Sequence, residues 1–279
     1  MKTPDSDAGD ALRRIAAALE RLTPPAAAAD LDAAPAFVWD AGRLRPVARL
    51  AAQPLAMFVG VDAQRQALVD NTRRLAAGLP AHDVLLWGSR GMGKSGLVKA
   101  VIAELQAERA PIALVEVERD DIPAIAGLLR LLGASERRFV LFCDDLSFDT
   151  DERHYRRLRS VLEGGVEARP PNCRFYVTSN RRHLVPRELI ENEVALAVNA
   201  RDVVDDKLAL ADRFGLSLGF HACDQQTYVA MVAAYAARFG LPMDERDAIA
   251  WATGRGGRSG RVAWQYIEEL AGRAGKRLP

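Results

Sequence analysis

The stretch VLLWGSRGMGKSGLVKAV, Val84–Val101, passes from an apolar run through three glycines and a Lys-Ser pair into a helical pattern. Within it GSRGMGKS, Gly88–Ser95, fits the phosphate-loop pattern G-x-x-x-x-G-K-[ST] in full. Backbone N–H groups must converge on a phosphate chain, and glycine allows both the close approach and the unusual dihedral angles. Gly88, Ser89, Arg90, Gly91, Met92 and Gly93 are therefore expected to cradle the phosphates of ATP. Lys94 would reach the β- and γ-phosphates, and Ser95 would ligate Mg²⁺. The helix starting near Lys94 adds its N-terminal dipole. A glycine-rich turn that binds nothing is the alternative, but a strand before and an amphipathic helix after are the context a phosphate loop needs.

Outward from this loop, residues 81–221 alternate between short apolar runs and helical patterns. Strands are expected at Val84–Trp87, Ile112–Val117, Phe139–Cys143, Arg174–Thr178 and Leu216–Phe220, each apolar enough to be buried on both faces. Alternation with helices implies a parallel sheet. Residues 222–279 show three helical patterns and no strand, which reads as a small all-helical lid domain. Residues 37–80 read as a lead-in containing one helix, DAQRQALVDNTRRLAAGL. Residues 1–36 read as an N-terminal arm, with one apolar helical face over 8–22 (Leu12, Ile15, Ala16, Leu19, Leu22) and a Pro- and Ala-rich linker over 23–36. No internal repeat is visible.

The run RFVLFCDDLSF, Arg138–Phe148, is an apolar strand that ends in two acids. Asp144 is placed to hold Mg²⁺ through its water shell, and Asp145 to orient or deprotonate an attacking water. Asp145 is one methylene shorter than the Glu more usual there, so binding is better assured than fast hydrolysis. CRFYVTSNRRHL, Cys173–Leu184, is another apolar strand, and Asn180 at its polar end could hydrogen-bond the same water. Arg213, after a helical pattern, is either a solvated surface residue or an arginine finger aimed at a neighbouring subunit's γ-phosphate. In TGRGGRSGRVAWQ, Thr253–Gln265, Arg261 is expected to touch the nucleotide from a lid helix, with Arg258 as the other candidate. Cys143, beside Asp144, reads as a small buried strand residue rather than a redox switch.

Bulk properties exclude several classes. Thirty-eight Lys and Arg against 37 Asp and Glu leave no overall electrostatic footprint for nucleic acid or an acidic membrane. No apolar run approaches bilayer length, and the acidic N-terminus does not resemble a signal peptide. Three widely spaced cysteines, Cys143, Cys173 and Cys223, form neither a disulfide framework nor a CxxC metal site. A reduced, cytoplasmic location without structural metal is expected.

In chain order, GSRGMGKS, LFCDD, VTSN, ADRFG and GRSGRVAWQ resemble Walker A, Walker B, sensor 1, the box VII arginine and sensor 2 of AAA+ ATPases. The Asp-Asp ending resembles the bacterial initiator and helicase-loader branch. With FCDDLSFD, LEGG and RPPNCRFYVTSNRRHL, the set resembles a bacterial AAA+ family of unassigned function over roughly residues 45–275. The resemblance implies an α/β, three-layer P-loop NTPase core with the Walker A strand beside the sensor 1 strand, a helical lid, ATP and Mg²⁺. It supplies no client; the leading reading is a Mg²⁺-dependent ATPase that remodels or loads an unidentified protein or nucleic-acid client, working as a homo-oligomer through Arg213 in trans. A nucleotide-dependent assembly module with little hydrolysis and a small-molecule P-loop kinase are the other readings.

Overall fold

A computed structural model of the chain describes residues 30–146, 158–160, 162, 169–180 and 213–278. The arm helix expected at 8–22 and the helical pattern preceding Arg213 lie outside the described residues.

A seven-stranded sheet organises the protein, with strand order β2-β1-β4-β5-β6-β3-β7. Its strands are β1 (Ala36–Asp40), β2 (Arg43–Val47), β3 (Val84–Gly88), β4 (Ile112–Val117), β5 (Arg138–Cys143), β6 (Cys173–Ser179) and β7 (Leu216–Phe220). All neighbours run parallel except β2, which is antiparallel to β1. The phosphate-loop strand β3 lies beside β6, as the resemblance implies. Helices α1 (Asp62–Ala76), α2 (Lys94–Ala107) and α3 (Ile125–Gly133) flank the sheet, and α4 (Gln225–Phe239), α5 (Glu245–Gly254) and α6 (Gly260–Arg273) follow it.

Strand alternation divides the core into two layers. Val140 and Phe142 of β5 join Leu86, Leu97, Val101 and Leu68 on the α1/α2 face. Phe139 and Leu141 join Leu85, Phe175, Leu128 and Leu132 on the α3 face. Strands buried on both sides need an apolar residue at nearly every position, and this is why they read as continuous runs.

The lead-in holds more than the single helix expected. Ala36–Val47 forms a hairpin that extends the sheet past β4. Its two-residue turn places Ala41 (φ 46°) and Gly42 (φ 78°) in the left-handed region, the requirement of a type I′ turn. Pro46 is accommodated because β2 is an edge strand. Residues 31–36, read as linker, also pack on the core. Arg137 Nη1 donates to Leu31 O at 2.5 Å and to Ala34 O at 2.8 Å, and Gln106 Nε2 donates to Pro35 O at 2.7 Å.

A buried polar cluster ties α1 to β6. Asn71 Nδ2 donates to Tyr176 Oη at 3.0 Å, and Thr72 Oγ1 lies 2.8 Å from the same hydroxyl. All three residues are fully buried, so the strand that carries Thr178 and leads into Asn180 is anchored two residues before Thr178. No helix among the described residues is long and apolar enough to cross a membrane.

Candidate functional site

The loop between β3 and α2 is clamped at both shoulders. Ser89 N donates to Phe220 O of β7 at 2.7 Å, and a side chain at Gly88 would begin 2.1 Å from that oxygen, so only glycine fits. On the other side the amide of Arg261 donates to Gly91 O at 3.0 Å. A Cβ on Gly91 (φ 74°) would meet Ser259 Oγ at 2.9 Å. The first turn of lid helix α6 thus rests directly on the loop. Ser259 caps that helix by accepting from Val262 N at 3.2 Å.

Lys94 opens α2 and is 7% exposed. Its Nζ donates to Gly88 O (2.7 Å), Ser89 O (2.9 Å) and Asn180 Oδ1 (3.3 Å). Burial holds its pKa below the ordinary value. The carboxylates of Asp145 and Asp144 oppose that shift, and Arg90 and Arg261 add to it.

Ser95 Oγ donates to Asp144 Oδ1 at 2.6 Å, and Thr178 Oγ1 donates to the same oxygen at 2.5 Å. Adjacent corners of a Mg²⁺ octahedron with bonds of 2.0–2.1 Å lie about 3 Å apart. Two hard oxygens at nearly that spacing fit the ion, and Ser95 and Asp144 are the residues that would hold it.

Asp145 follows with φ 48°, a left-handed backbone held by two bonds from its amide, to Thr178 Oγ1 at 2.8 Å and Asp144 Oδ1 at 3.1 Å. Asn180 Nδ2 donates to Asp145 Oδ1. Asn180 thereby bridges Lys94 and Asp145. Only one amide orientation serves both, because an ammonium can only donate and a carboxylate can only accept.

These groups line one cavity of about 690 Å³. Arg261 lines it too, whereas Arg258 turns away and donates to Gln225 Oε1 at 3.1 Å. The apolar wall was not expected. Phe58 and Val61 come from the lead-in, and Met231, Tyr235 and Trp264 from the lid. Trp264 lies three residues after Arg261 on α6, a spacing that puts both on one helix face and could have revealed it. Thr178, two residues before Asn180 on the same strand face, was legible in the same way.

Arg213 is not among the cavity-lining residues. It precedes β7, whose Leu216 pairs with Val84 and whose Phe220 pairs with Gly88. The guanidinium therefore starts from the end of the strand pair opposite the chain's own phosphate loop. Four residues of β3 alone separate those ends by about 13 Å. Cys143 is 1% exposed, and burial, with Asp144 beside it, pushes its thiol up to about 12. That is a neutral core residue rather than a reactive thiolate.

The family model described as "Protein of unknown function (DUF815)" matches residues 32–274. No curated protein matches the sequence. Among solved structures, the Thermotoga maritima RuvB Holliday junction branch migration motor aligns with TM-score 0.52 at 18% identity, over 81% of this chain and 68% of that one. The Aeropyrum pernix ORC1 protein in complex with DNA aligns with TM-score 0.55 at 14% identity, over 80% of this chain and 65% of that one. The fold is that of the AAA+ P-loop ATPases.

Proposed function

The chain belongs to the DUF815 family, and from that premise we propose that it is a Mg²⁺-dependent AAA+ ATPase that couples ATP hydrolysis to remodelling or loading a macromolecular client. One observation carries this reading. Lys94, Ser95, Asp144, Asp145, Asn180 and Arg261, drawn from the whole length of the fold, converge on a single cavity.

The roles follow from the contacts. Backbone amides of Gly88–Ser95 and the Lys94 ammonium neutralise the phosphate chain. Ser95 and Asp144 would hold Mg²⁺, which when bound would spread the charge of the β- and γ-phosphates. Asp145 accepts the proton of the attacking water while Asn180 orients that water. The new P–O bond forms at the γ-phosphorus as the bridging P–O bond to ADP breaks. Arg261 approaches from the lid.

Arg213 completes the site of a neighbouring copy, because it starts from the end of the sheet far from its own loop. The protein then works as a homo-oligomer. A nucleic-acid client is one candidate class, since both structural relatives act on or were solved with DNA; a protein client is the other. A cytoplasmic location fits the three free thiols. A boundary between a nucleotide-binding domain (37–221) and a lid (222–279) fits the gap between β7 and α4 at 221–224; of the arm (1–36), residues 31–36 belong with the core they pack on.

The test mixes two inactive variants. Lys94→Ala lacks a usable site but keeps its finger, and Arg213→Ala keeps its site but lacks the finger. Mixed oligomers should regain part of the ATP turnover. No recovery in demonstrably mixed oligomers would remove the trans role, and no turnover by the wild type at any concentration would remove hydrolysis. A second reading, an ATP-dependent assembly module with little turnover, is favoured by the bond that holds the Asp145 carboxylate to Asn180.

A further inference from the structure

We propose that the guanidinium of Arg90 is a phosphate-binding group in its own right, a cation at the loop apex that contacts the terminal phosphate of a nucleoside triphosphate. This rests on the nucleotide reading above and goes one step beyond it, from the loop's backbone to a side chain that the phosphate-loop pattern leaves free.

The pattern asks nothing of this position, because the loop acts through its amides. A long cation there is not needed to build the turn. Arg90 is exposed, and with the described residues it forms no hydrogen bond or ion pair. Yet it borders the same cavity as Lys94, Asp145, Asn180 and Arg261. It is close enough for its charge to weigh on the Lys94 ammonium.

The backbone on either side is fixed, by the Ser89 amide on Phe220 O and by Gly91 O on the Arg261 amide. The Arg90 side chain therefore swings from an anchored Cα, and ordering it on a ligand restricts the side chain alone. Its planar fork matches two phosphate oxygens at once, which an ammonium cannot do.

Charge and position agree on the ligand. Arg90, Lys94 and Arg261 share the cavity lining with Asp144 and Asp145, leaving an excess of positive charge for an anion to meet. Loop amides serve the inner phosphates and Lys94 the β–γ junction. Arg90 adjoins Gly91, whose carbonyl the lid amide of Arg261 meets, so its guanidinium starts on the lid side of the cavity, where it would add a second cation to Lys94 at the outermost phosphate.

The experiment is calorimetric titration of the full-length protein, Arg90→Ala and Arg90→Lys with ATP·Mg²⁺ and with ADP·Mg²⁺. Because the side chain is exposed, all three proteins should melt alike. Arg90→Ala should bind ATP about 10- to 100-fold more weakly, the range for one charge-assisted contact, with ADP affinity changed by less than about twofold. Arg90→Lys should fall between, keeping the charge without the fork. Equal losses for ATP and ADP, or no loss for either in a series whose wild type binds ATP, would overturn the proposal and leave the nucleotide reading intact. A wild type that binds neither nucleotide would overturn both.

Discussion

Ser95 Oγ and Asp144 Oδ1 meet at 2.6 Å across 49 residues of sequence. The contact joins the first turn of α2 to the end of β5 and marks where a hard divalent ion would sit. Removing Mg²⁺ with a chelator should therefore abolish turnover and weaken ATP binding. Ser95→Ala and Asp144→Ala should reproduce the loss of turnover at saturating Mg²⁺. Coupled-enzyme assays over a Mg²⁺ series test this, and variants that match the wild type at every Mg²⁺ concentration would show that the pair does not hold it.

Lys94→Ala removes the ammonium that caps the loop carbonyls. ATP affinity should drop by about 2–4 kcal/mol, roughly 30- to 900-fold. Equal calorimetric affinity for variant and wild type would remove the phosphate-loop assignment.

The lowered pKa of Lys94 gives a pH signature. Phosphates favour the charged ammonium, so between the lowered value and the ordinary 10.5, ATP binding should take up a proton. Titration in two buffers of different ionisation enthalpy measures that uptake, and Lys94→Ala should lack it. Without ligand the unfolded chain holds this proton more tightly than the folded one. Burial of Lys94 therefore opposes folding below the lowered value, and the opposition fades as pH rises toward 10.5.

Asp145→Ala and Asn180→Ala should reduce kcat, with ATP affinity kept within a few-fold, because their contacts matter most when water attacks. Nucleotide titration and turnover on the same samples separate the two effects. Loss of binding in a folded variant would place these residues in the wrong role.

A chain starting at Phe37 should be less stable than one starting at Leu31. It loses the Leu31, Ala34 and Pro35 carbonyls and leaves Arg137 and Gln106 without those partners. At roughly 1 kcal/mol per bond, the loss of about 2–3 kcal/mol should lower Tm by about 4–10 °C. Melting curves of the two truncations decide it.

Strands buried on both faces and amphipathic lid helices could be read from sequence because each carries its pattern locally. The β1–β2 hairpin could not. Ala41 occupies a turn position where Asn or Gly would be the usual signal, and the alternation Arg43-Leu44-Arg45 is too short to read before Pro46, a residue that argues against a strand, interrupts it. In the site, Gly88–Ser95 is contiguous and could be read directly. The choice between Arg258 and Arg261 turns on Ser259: a helix capped there carries Arg261 in its first turn and leaves Arg258 outside. Phe58 escaped notice because it matters only through neighbours far away in sequence, whereas Thr178 could be read from its spacing to Asn180. Phe58 would touch a Cβ on Gly93, and Thr178 bonds Asp144.

The hydrogen bond from the Arg261 amide to Gly91 O has a kinetic meaning. Gly91 and Gly260 approach so closely that a Cβ on the latter would lie 3.1 Å from the same oxygen. The lid therefore rests on the loop backbone to backbone, and no rotamer change can release it. α6 must withdraw, with the helices packed against it, before the cavity widens on that side. The residence time of a bound nucleotide would then be governed by a motion of the whole lid. Anything that pulls on the outer face of α5 or α6 would set the exchange rate without touching the phosphates.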